Sequence, residues 1–518
     1  MVFVVQLPVR RVQIVTVFIS KSIENKYNKN KVKSIAAIAL NNRGKVHELI
    51  GNKKQAFNDY NRALNIVEST DMTDIHADTL INMGSLKWSE AEYSQAMKFL
   101  KQSEKILLDI NSREKLAYVI GKQGNIFWRQ ADYDKALRYY DKQLSICSSI
   151  KSRLCRATAL GNMGAVFSDK GEYQRAYELY SEEMDILKKG HNQRNLSIVY
   201  GNLSNISMHT GDYEKAHEFT MKRLKIAEKI GDRMRVAISL GTLGNISRNR
   251  SRFKEALMYY EQALGEFKII KHRAAVSITI GNIGICYWRL GDYEKALEFY
   301  HKHYESAQKI GDRAGMQRAL GNMGNVLWRQ GKFNEAIEKM DSQVRICRGL
   351  GNVHHLAVAL GNLANVKREM GETESACKLY NRAIHISRAK GIKPLWASIL
   401  TEKIKLFIDA GKGGYAGRLL KELKELIADI DDRELDFEYR VLLSQVSSAK
   451  IALTILRSMK DEFRGKLQMA KINYLIYSID NDVDAGKQAL LLYGELSEKS
   501  NDYEYRQRIN ELSKYLRE

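Results

Sequence analysis

The chain has 518 residues, 44% of them hydrophobic and 28% charged, so it can form a packed core and is not an intrinsically disordered segment. Only two prolines occur, which argues against proline-rich linkers and against a series of β-sandwich domains. The net charge of +22 favours acidic partners, but the basic residues form no long run, so nucleic acid is an open alternative that no feature singles out.

Residues 1–30 differ from the rest of the chain and form an N-terminal extension. Their apolar run is interrupted by Pro8, Arg10 and Arg11, so it contains no stretch long enough to span a bilayer and does not have the order of a secretory signal. The β-branched residues 12–19 predict a short strand or a disordered arm. A relic of an upstream domain and a misplaced start are the sharper alternatives, and membrane anchoring is a further one.

The segment 31–430 repeats with a period of 40 residues, which predicts ten copies of one supersecondary unit. One column of the repeat is always alanine. A second column, twelve residues earlier, holds small residues, mostly glycine, and a third, four residues after the alanine, is mostly tyrosine. The alanines are Ala56, Ala96, Ala136, Ala176, Ala216, Ala256, Ala296, Ala336, Ala376 and Ala416.

The unit around Gly324 shows why these columns predict pairs of helices. Leu320 and Leu327 lie on one helical face, and Gly324 lies within that face, where a missing side chain lets a neighbouring helix come close. Gly331 then ends this helix, and Ala336 lies at the crossing with the second helix. Each unit can bury its hydrophobic faces only against its neighbours, so the predicted fold is an all-α, right-handed solenoid of antiparallel helix pairs.

These columns resemble the tetratricopeptide repeat, in which a small residue and an aromatic on the first helix precede alanine and tyrosine on the second. The usual unit has about 34 residues and a closing proline, whereas this one has a period of 40 and a Gly-Asp-Arg turn. This variant is similar to the repeats of the Leu-Gly-Asn polarity adaptors, whose tripeptide occurs at 160–162, 320–322 and 360–362, and to arrays attached to microbial signalling cyclases and kinases. The resemblance implies that the first helices line a concave, peptide-binding groove.

Residues 431–518 lose the register of the repeat but keep a helical pattern. Ala470 to Ile479 and Ala485 to Leu496 predict a helix pair, and Tyr503 to Leu516 predict a polar final helix. Solenoids end in degenerate, more polar units, so we interpret 431–518 as degenerate repeat-like helices and a C-terminal cap.

Polar and aromatic residues occupy the positions of the first helices that lie between the buried columns. A column of asparagines can bind a peptide main chain, although bonding between neighbouring repeats is an equal alternative. Three residues further, tryptophans and arginines share a column, a combination typical of interface hot spots. The arginines predict a cationic groove for an acidic, partly apolar protein or peptide. The candidate groove residues are Asn125, Trp128, Arg129, Asn205, Asn245, Arg248, Trp288, Arg289, Asn325, Trp328, Arg329, Asn365 and Arg368.

A column of glycines lies four residues before the asparagines, seven times in succession from Gly121 to Gly361. Each glycine costs a helix about 0.5–1 kcal/mol relative to alanine, so the space is expected to have a use. Close packing against the preceding unit and approach by the backbone of a bound peptide explain the column equally well.

The sequence contains no catalytic or metal-binding constellation that we recognise. It has no Walker loop and no CxxC pair, and His301 and His303 point to different faces of a helix. We therefore predict that the chain is not an enzyme and has no cofactor and no metal site. All five cysteines are expected to be reduced, buried side chains in a cytoplasmic chain.

The leading hypothesis is a scaffold or adaptor that binds a peptide segment of a signalling partner in its groove. One alternative is the regulatory arm of a signalling cyclase or kinase whose catalytic domain is missing or separate. Another is a helical repeat protein that binds nucleic acid through its basic excess. The partner's identity and the oligomeric state are left open.

Overall fold

The computed structural model describes residues 29–68, 70, 72–190, 192–430, 432–498 and 502–516, and every helix or strand element within them is an α-helix. None of these helices is both long and apolar enough to cross a membrane. The strand or arm expected near the N-terminus lies outside the described residues. The helices fall into two compact units, divided between Ile230 and Gly231.

Unit 1 is an all-α stack of five helix pairs, in which odd-numbered helices are the first and even-numbered helices the second member of each pair. The helices are α1 (Lys29–Leu49), α2 (Lys53–Glu68), α3 (Thr73–Ser89), α4 (Tyr93–Asp109), α5 (Arg113–Arg129), α6 (Tyr133–Ser149), α7 (Arg153–Asp169), α8 (Tyr173–Lys189), α9 (Gln193–His209) and α10 (Tyr213–Lys229).

Unit 2 begins with five similar pairs and ends with five helices outside the 40-residue register. The pairs are α11 (Arg233–Asn249), α12 (Phe253–Ile269), α13 (Arg273–Arg289), α14 (Tyr293–Lys309), α15 (Arg313–Arg329), α16 (Phe333–Leu350), α17 (Val353–Glu369), α18 (Thr373–Ala389), α19 (Lys393–Asp409) and α20 (Gly413–Ile427). The final helices are α21 (Arg433–Val446), α22 (Ala449–Glu462), α23 (Lys466–Asp480), α24 (Val483–Ser497) and α25 (Tyr503–Tyr515).

The short turns between helices have a local cause in the sequence. Gly331 adopts a left-handed conformation, with φ of +79°, and its amide donates to the carbonyl of Trp328 at 2.9 Å, which ends α15. Several of the turns that follow a second helix begin the next helix with an aspartate cap. Asp312, for example, accepts a hydrogen bond from the amide of Gly315 at 2.9 Å. Because each turn reverses the chain within a few residues, consecutive helices in a unit are antiparallel.

The repeated columns form the core of both units. All ten alanines of the repeat have 0% exposure, and tyrosine rings of the second helices lie over the small residues of the first. A Cβ atom on Gly124 would lie 2.6 Å from Cε1 of Tyr140, too close for any side chain. Where Ser204 replaces the glycine, Thr220 replaces the tyrosine, and their hydroxyl oxygens lie 2.6 Å apart. In that repeat both columns change, because the two side chains share one closely packed volume.

The structure corrects the prediction for the cysteines. Cys147 near the end of α6 and Cys155 at the start of α7 form a disulfide, with their Cα atoms 5.4 Å apart. The turn between these helices brings the two side chains together, which their spacing in the sequence did not suggest. The other three cysteines are free; Cys286 and Cys347 are buried, whereas Cys377 is only half-buried.

Candidate functional site

Tyrosines of the second helices hold the asparagine column in place. In three repeats the tyrosine hydroxyl donates a 2.7 Å hydrogen bond to Oδ1 of the asparagine. Burial raises the pKa of each of these tyrosines above its ordinary value, so the hydroxyl keeps its proton. The asparagine oxygen is therefore used within the helix pair, while its Nδ2 group takes no part in this bond. The pairs are Asn125–Tyr140, Asn245–Tyr260 and Asn365–Tyr380.

Asn325 and Asn205 differ because their repeats lack the tyrosine. Met340 takes its place beside Asn325, whose Oδ1 instead accepts a 3.2 Å hydrogen bond from Nδ2 of Asn362 on the next first helix. Thr220 takes its place in the repeat of Asn205, whose side chain is exposed. A hydrogen bond between repeats thus forms at Asn325, where no tyrosine hydroxyl competes for the Oδ1 atom.

The tryptophan column lies half-buried near the ends of the first helices, and three of its members are followed by an arginine that stacks on the indole. In these pairs the guanidinium carbon lies 4.8–5.2 Å from the ring centroid, within the range of a cation–π interaction. Arg129 also lies 5.6 Å from the ring of Trp88 on the preceding first helix. The pairs are Trp128–Arg129, Trp288–Arg289 and Trp328–Arg329.

The glycine column makes room for polar side chains of the second helix in the same pair. A Cβ atom on Gly161 would lie 2.6 Å from Oε2 of Glu183, and one on Gly281 would lie 2.7 Å from Nδ1 of His303. Where the second helix carries alanine, Gly241 would meet nothing within 4 Å. In five of the seven repeats the space is therefore filled from the same helix pair and not from the preceding unit, whereas at Gly361 the nearest atom is Cγ1 of Ile399 in the following pair, at 3.5 Å. The other pairs are Gly121–Gln143, Gly201–Arg223 and Gly321–Gln343.

In unit 1, the first helices α5, α7 and α9 line a cavity of about 510 Å³, which we call the unit 1 groove. The second helices also contribute to its lining, through Tyr140, Tyr180 and Glu183. Trp128 is the one member of the predicted residue set among those that line it. The first-helix residues are Trp128, Thr158, Gly161, Asn162, Ala165, Ser168, Asp169, Asn195, Ile198 and Asn202.

The unit 1 groove differs from the cationic groove that the arginine column predicts, because its lining residues include two carboxyl groups and no lysine or arginine. The carboxylate of Asp169 accepts a 2.7 Å hydrogen bond from Nε1 of Trp128. Burial raises the pKa of Glu183 to about 8, so this carboxyl is largely protonated at neutral pH. The local reason is that Asp169 and His209 occupy the positions in α7 and α9 that Arg129 occupies in α5.

In unit 2, ion pairs form a ladder across four helices, the first helices α17 and α19 and then α21 and α23, which lie outside the repeat. Arg368 of α17 pairs with Glu402 of α19 at 3.0 Å, and Lys405 lies 2.8 Å from both Glu402 and Glu438. Glu438 of α21 in turn pairs with Lys471 of α23 at 3.1 Å. Burial by itself would raise the pKa of Glu438, but the two lysines outweigh it and lower that pKa to about 2. Arg368, a predicted groove residue, is only 12% exposed and forms its ion pairs within the chain.

Arg248, the other arginine in the tryptophan column, also makes a contact within the chain. Its Nη1 donates to Oδ1 of Asn282 on the next first helix at 3.4 Å, and its side chain is half-buried. Arg248 and Arg368 therefore join neighbouring repeats, whereas the arginines that follow a tryptophan stack on it.

The start of α25 packs against Arg329 and helps to line a cavity of about 440 Å³ that the charge ladder also lines. The carboxylate of Asp502 lies 3.5 Å from Nη1 of Arg329 and accepts a hydrogen bond from the hydroxyl of Tyr293 at 3.4 Å. Glu504 lies 3.4 Å from the same Arg329 nitrogen. Burial raises the pKa of Asp502 above its ordinary value, although Arg329 opposes that shift. Two carboxylates therefore meet one arginine of the predicted groove.

An aromatic contact and a backbone contact complete the docking of α25. The ring of Tyr503 packs edge-on against Phe333, with the centroids 5.4 Å apart. Arg506 donates through Nη2 to the carbonyl oxygen of Gln330 at 3.3 Å, at the end of α15. Arg329 and its neighbours Gln330 and Phe333 thus bind an acidic and aromatic segment of the same chain.

Sequence reasoning missed three features of these surfaces. Asn162 and Asn202 are the asparagines that follow the glycine column, and their 40-residue recurrence was a visible signal. Gln143 and Glu183 recur at a constant distance after the glycines, which was also visible. The docking of α25 on Arg329 had no signal in the repeat pattern, because α25 lies outside it. Among the described residues, no group of three or more histidine, cysteine or acidic side chains is arranged to hold a metal ion.

One protein-family model matches the sequence of the chain. The model of the tetratricopeptide repeat matches residues 116–189, 195–268, 235–309, 274–338 and 315–389, which together make up more than half of the chain. The chain belongs to the tetratricopeptide repeat family. Such arrays are scaffolds for protein–protein interactions, in which extended surfaces of the stacked repeats bind the partner. No curated protein sequence matches the chain significantly.

Solved structures similar to this tetratricopeptide repeat array include a signal transduction ATPase with numerous domains from Pyrococcus horikoshii, which has a tetratricopeptide repeat sensor. The TM-score is 0.51 at 17% identity, and the match covers 66% of this chain and 53% of that protein. The array therefore spans about half the length of the archaeal protein, and at this identity the likeness shows the fold alone. Aspartyl phosphate phosphatase F of Bacillus subtilis is similar at a TM-score of 0.45 and 15% identity, over 70% of this chain and 94% of that one.

Proposed function

We propose that the chain is a non-catalytic scaffold that binds a segment of a signalling partner on the surface of its first helices. The observation that supports this is the contact of Asp502 and Glu504 with Arg329, since it brings an acidic segment of the same chain onto the arginine column. A partner segment of similar chemistry is acidic and partly apolar, because arginine pairs with its carboxylates and the neighbouring aromatic rings pack on its apolar side chains.

The remaining columns supply the other interactions that such a segment needs. Asparagines whose oxygen is held by tyrosine keep the Nδ2 group in a constant orientation, which suits hydrogen bonding to a peptide carbonyl. The resemblance to the Leu-Gly-Asn polarity adaptors supports the same use of asparagine and arginine. The proposed binding residues are Asn125, Trp128, Arg129, Asn205, Asn245, Trp288, Arg289, Asn325, Trp328 and Asn365, whereas Arg329 is already occupied by α25.

The cytoplasmic location predicted from the sequence stays a prediction. The disulfide between Cys147 and Cys155 is the observation that weighs against a strongly reducing compartment, because disulfides are rare there. The chain's place of action is therefore best established together with its partner, in intact cells.

Photo-crosslinking in cells tests the proposed function. A photo-reactive amino acid is placed at Thr158, which is exposed on the first helix α7, and in a matched chain at Glu178, which is exposed on the second helix α8. We expect one protein to be crosslinked from Thr158 and not from Glu178. Equal crosslinking from both positions, or crosslinking from Glu178 alone, would show that partners do not bind on the first helices.

A further inference from the structure

The residues that receive α25 in unit 2 form a compact set, which we call the unit 2 receptor: Tyr293, Arg329 and Phe333. Tyr293 begins α14, Arg329 ends α15 and Phe333 begins α16. Together they contact Asp502 and its two followers in the chain through a hydroxyl, a guanidinium group and an aromatic ring.

A matching set occurs five repeats earlier, with tyrosine in place of Phe333: Tyr93, Arg129 and Tyr133, which we call the unit 1 receptor. Tyr93 begins α4, Arg129 ends α5 and Tyr133 begins α6, so the three occupy the same helix ends as in unit 2. Arg129 stacks on Trp128 at 5.2 Å, as Arg329 stacks on Trp328 at 5.1 Å.

The backbone at the unit 1 receptor also matches. Ala131 has φ of +58°, in the left-handed region that Gly331 occupies in unit 2. The preceding Gln130 carbonyl therefore ends its helix in the same kind of turn as the Gln330 carbonyl, which binds Arg506. A segment that docks like α25 thus finds a comparable backbone acceptor in unit 1.

The unit 1 receptor is accessible. Arg129 and Gln130 are exposed, and Tyr93 and Tyr133 are half-buried. Within the residues that the structure describes, Arg129 stacks on two indole rings and has no carboxylate at ion-pair distance. A carboxylate that reached it would gain a charge-assisted hydrogen bond without displacing another one.

We propose that the unit 1 receptor binds a helix start of a partner protein in which an acidic cap is followed by an aromatic and a second acidic residue, as in Asp502, Tyr503 and Glu504. This inference rests on the proposed function and names the chemistry of the partner. The acidic cap fits because it lies between the positive end of its own helix and the guanidinium group of Arg129. In unit 2, Asp502 accepts the amide of Glu504 at 2.9 Å in the same way.

A separate protein is favoured over a second copy of this chain. The α25 of each copy is tethered to its own unit 2 receptor, where its effective concentration far exceeds that of a separate molecule. The C-terminal helix of a second copy is therefore already engaged and does not compete well for the unit 1 receptor.

A synthetic peptide with the sequence of residues 499–516 is a probe of the required chemistry. Its binding to the full chain is measured by fluorescence anisotropy at low salt, where exposed charge pairs are least screened. We expect Arg129→Glu to weaken binding by about tenfold or more, because it replaces an attraction by a repulsion. Arg138→Glu, an equal charge change on α6 at an exposed position, is the matched control and should leave affinity unchanged.

A charge exchange sharpens the test. A peptide with lysine in place of Asp502 and Glu504 should bind the Arg129→Glu chain and not the original chain. The proposal is overturned if the peptide still binds the Arg129→Glu chain, or if Arg329→Glu abolishes binding instead. It is also overturned if the chain associates with itself and Arg129→Glu abolishes that association. Crosslinking from Thr158 without any peptide binding would support the scaffold function but contradict the proposed role of the unit 1 receptor.

Discussion

The same residue columns form the core of each unit, but the two units carry different first-helix surfaces. In unit 1 the surface includes the unit 1 groove, with a half-buried, largely protonated Glu183, and an accessible Arg129 outside the groove lining. In unit 2 the corresponding surface carries a ladder of ion pairs, and Arg329 holds the start of α25. The comparison teaches that the repeat determines packing, whereas the positions left free by packing determine what each part of the surface can bind.

The largest expected effect comes from the charge ladder. Lys405→Ala removes the cation that lies between Glu402 and Glu438, so each of these mostly buried carboxylates keeps a single cationic partner and the two carboxylates repel each other. The substitution should lower the free energy of unfolding by about 3 kcal/mol in a urea titration. The control in unit 1 is Lys142→Ala, which removes an exposed pair with Glu104 and should cost less than about 1 kcal/mol. Similar costs for the two variants would mean that the ladder is no more coupled than a surface pair.

The next effect tests whether the cores of the two units are equivalent. Ala336→Leu and Ala136→Leu each place a larger side chain at a fully buried crossing of two helices. Each should lower the free energy of unfolding by about 2 kcal/mol, because overpacking forces neighbouring side chains to move. A large loss in one unit and none in the other would contradict the idea of a common core.

A smaller effect concerns the pH dependence of unit 1. The pKa of Glu183 is about 8 in the folded chain and near 4.3 in an unfolded one, so the stability that this group contributes is lost as pH rises from about 4.5 through 8. Glu183→Gln cannot ionise, so it should raise the free energy of unfolding at pH 9, where the glutamate is ionised, and hardly at all at pH 5. Thermal melts across this range provide the measurement, and a gain that is independent of pH would contradict the assignment.

The smallest effect on global stability, but a distinct local one, is expected for Arg329→Glu. The substitution turns two attractions into repulsions, but α25 can detach without unfolding the repeats, so it should cost less than about 1 kcal/mol overall. The amides of 503–515 should nevertheless exchange hydrogen faster, because α25 loses its contact with α15. Hydrogen exchange with mass spectrometry measures this, and Arg289→Glu is the control because no described carboxylate pairs with Arg289. Unchanged exchange would show that α24 alone holds α25.

Much of the fold and part of the candidate surface follow from the sequence. The alanine column predicted ten buried helix crossings, and the glycine column predicted the close approach of a neighbouring helix, which Tyr140 makes at Gly124. The Trp128–Arg129 type of pair was recognised from its column, but its half-buried, stacked geometry was not. A local period predicts local packing well because each repeat contacts mainly its immediate neighbours.

The sequence by itself therefore determined the helix pairs, their turns and the residue types on the first helices. Only the tertiary structure decided that Cys147 pairs with Cys155, that Glu183 reaches the unit 1 groove past Gly161, and that Arg329 meets Asp502 while Arg129 stays accessible. The physical reason is that Arg129 and Arg329 have nearly the same local sequence, so the difference between them depends on where α25, which lies outside the repeat, folds back onto the chain.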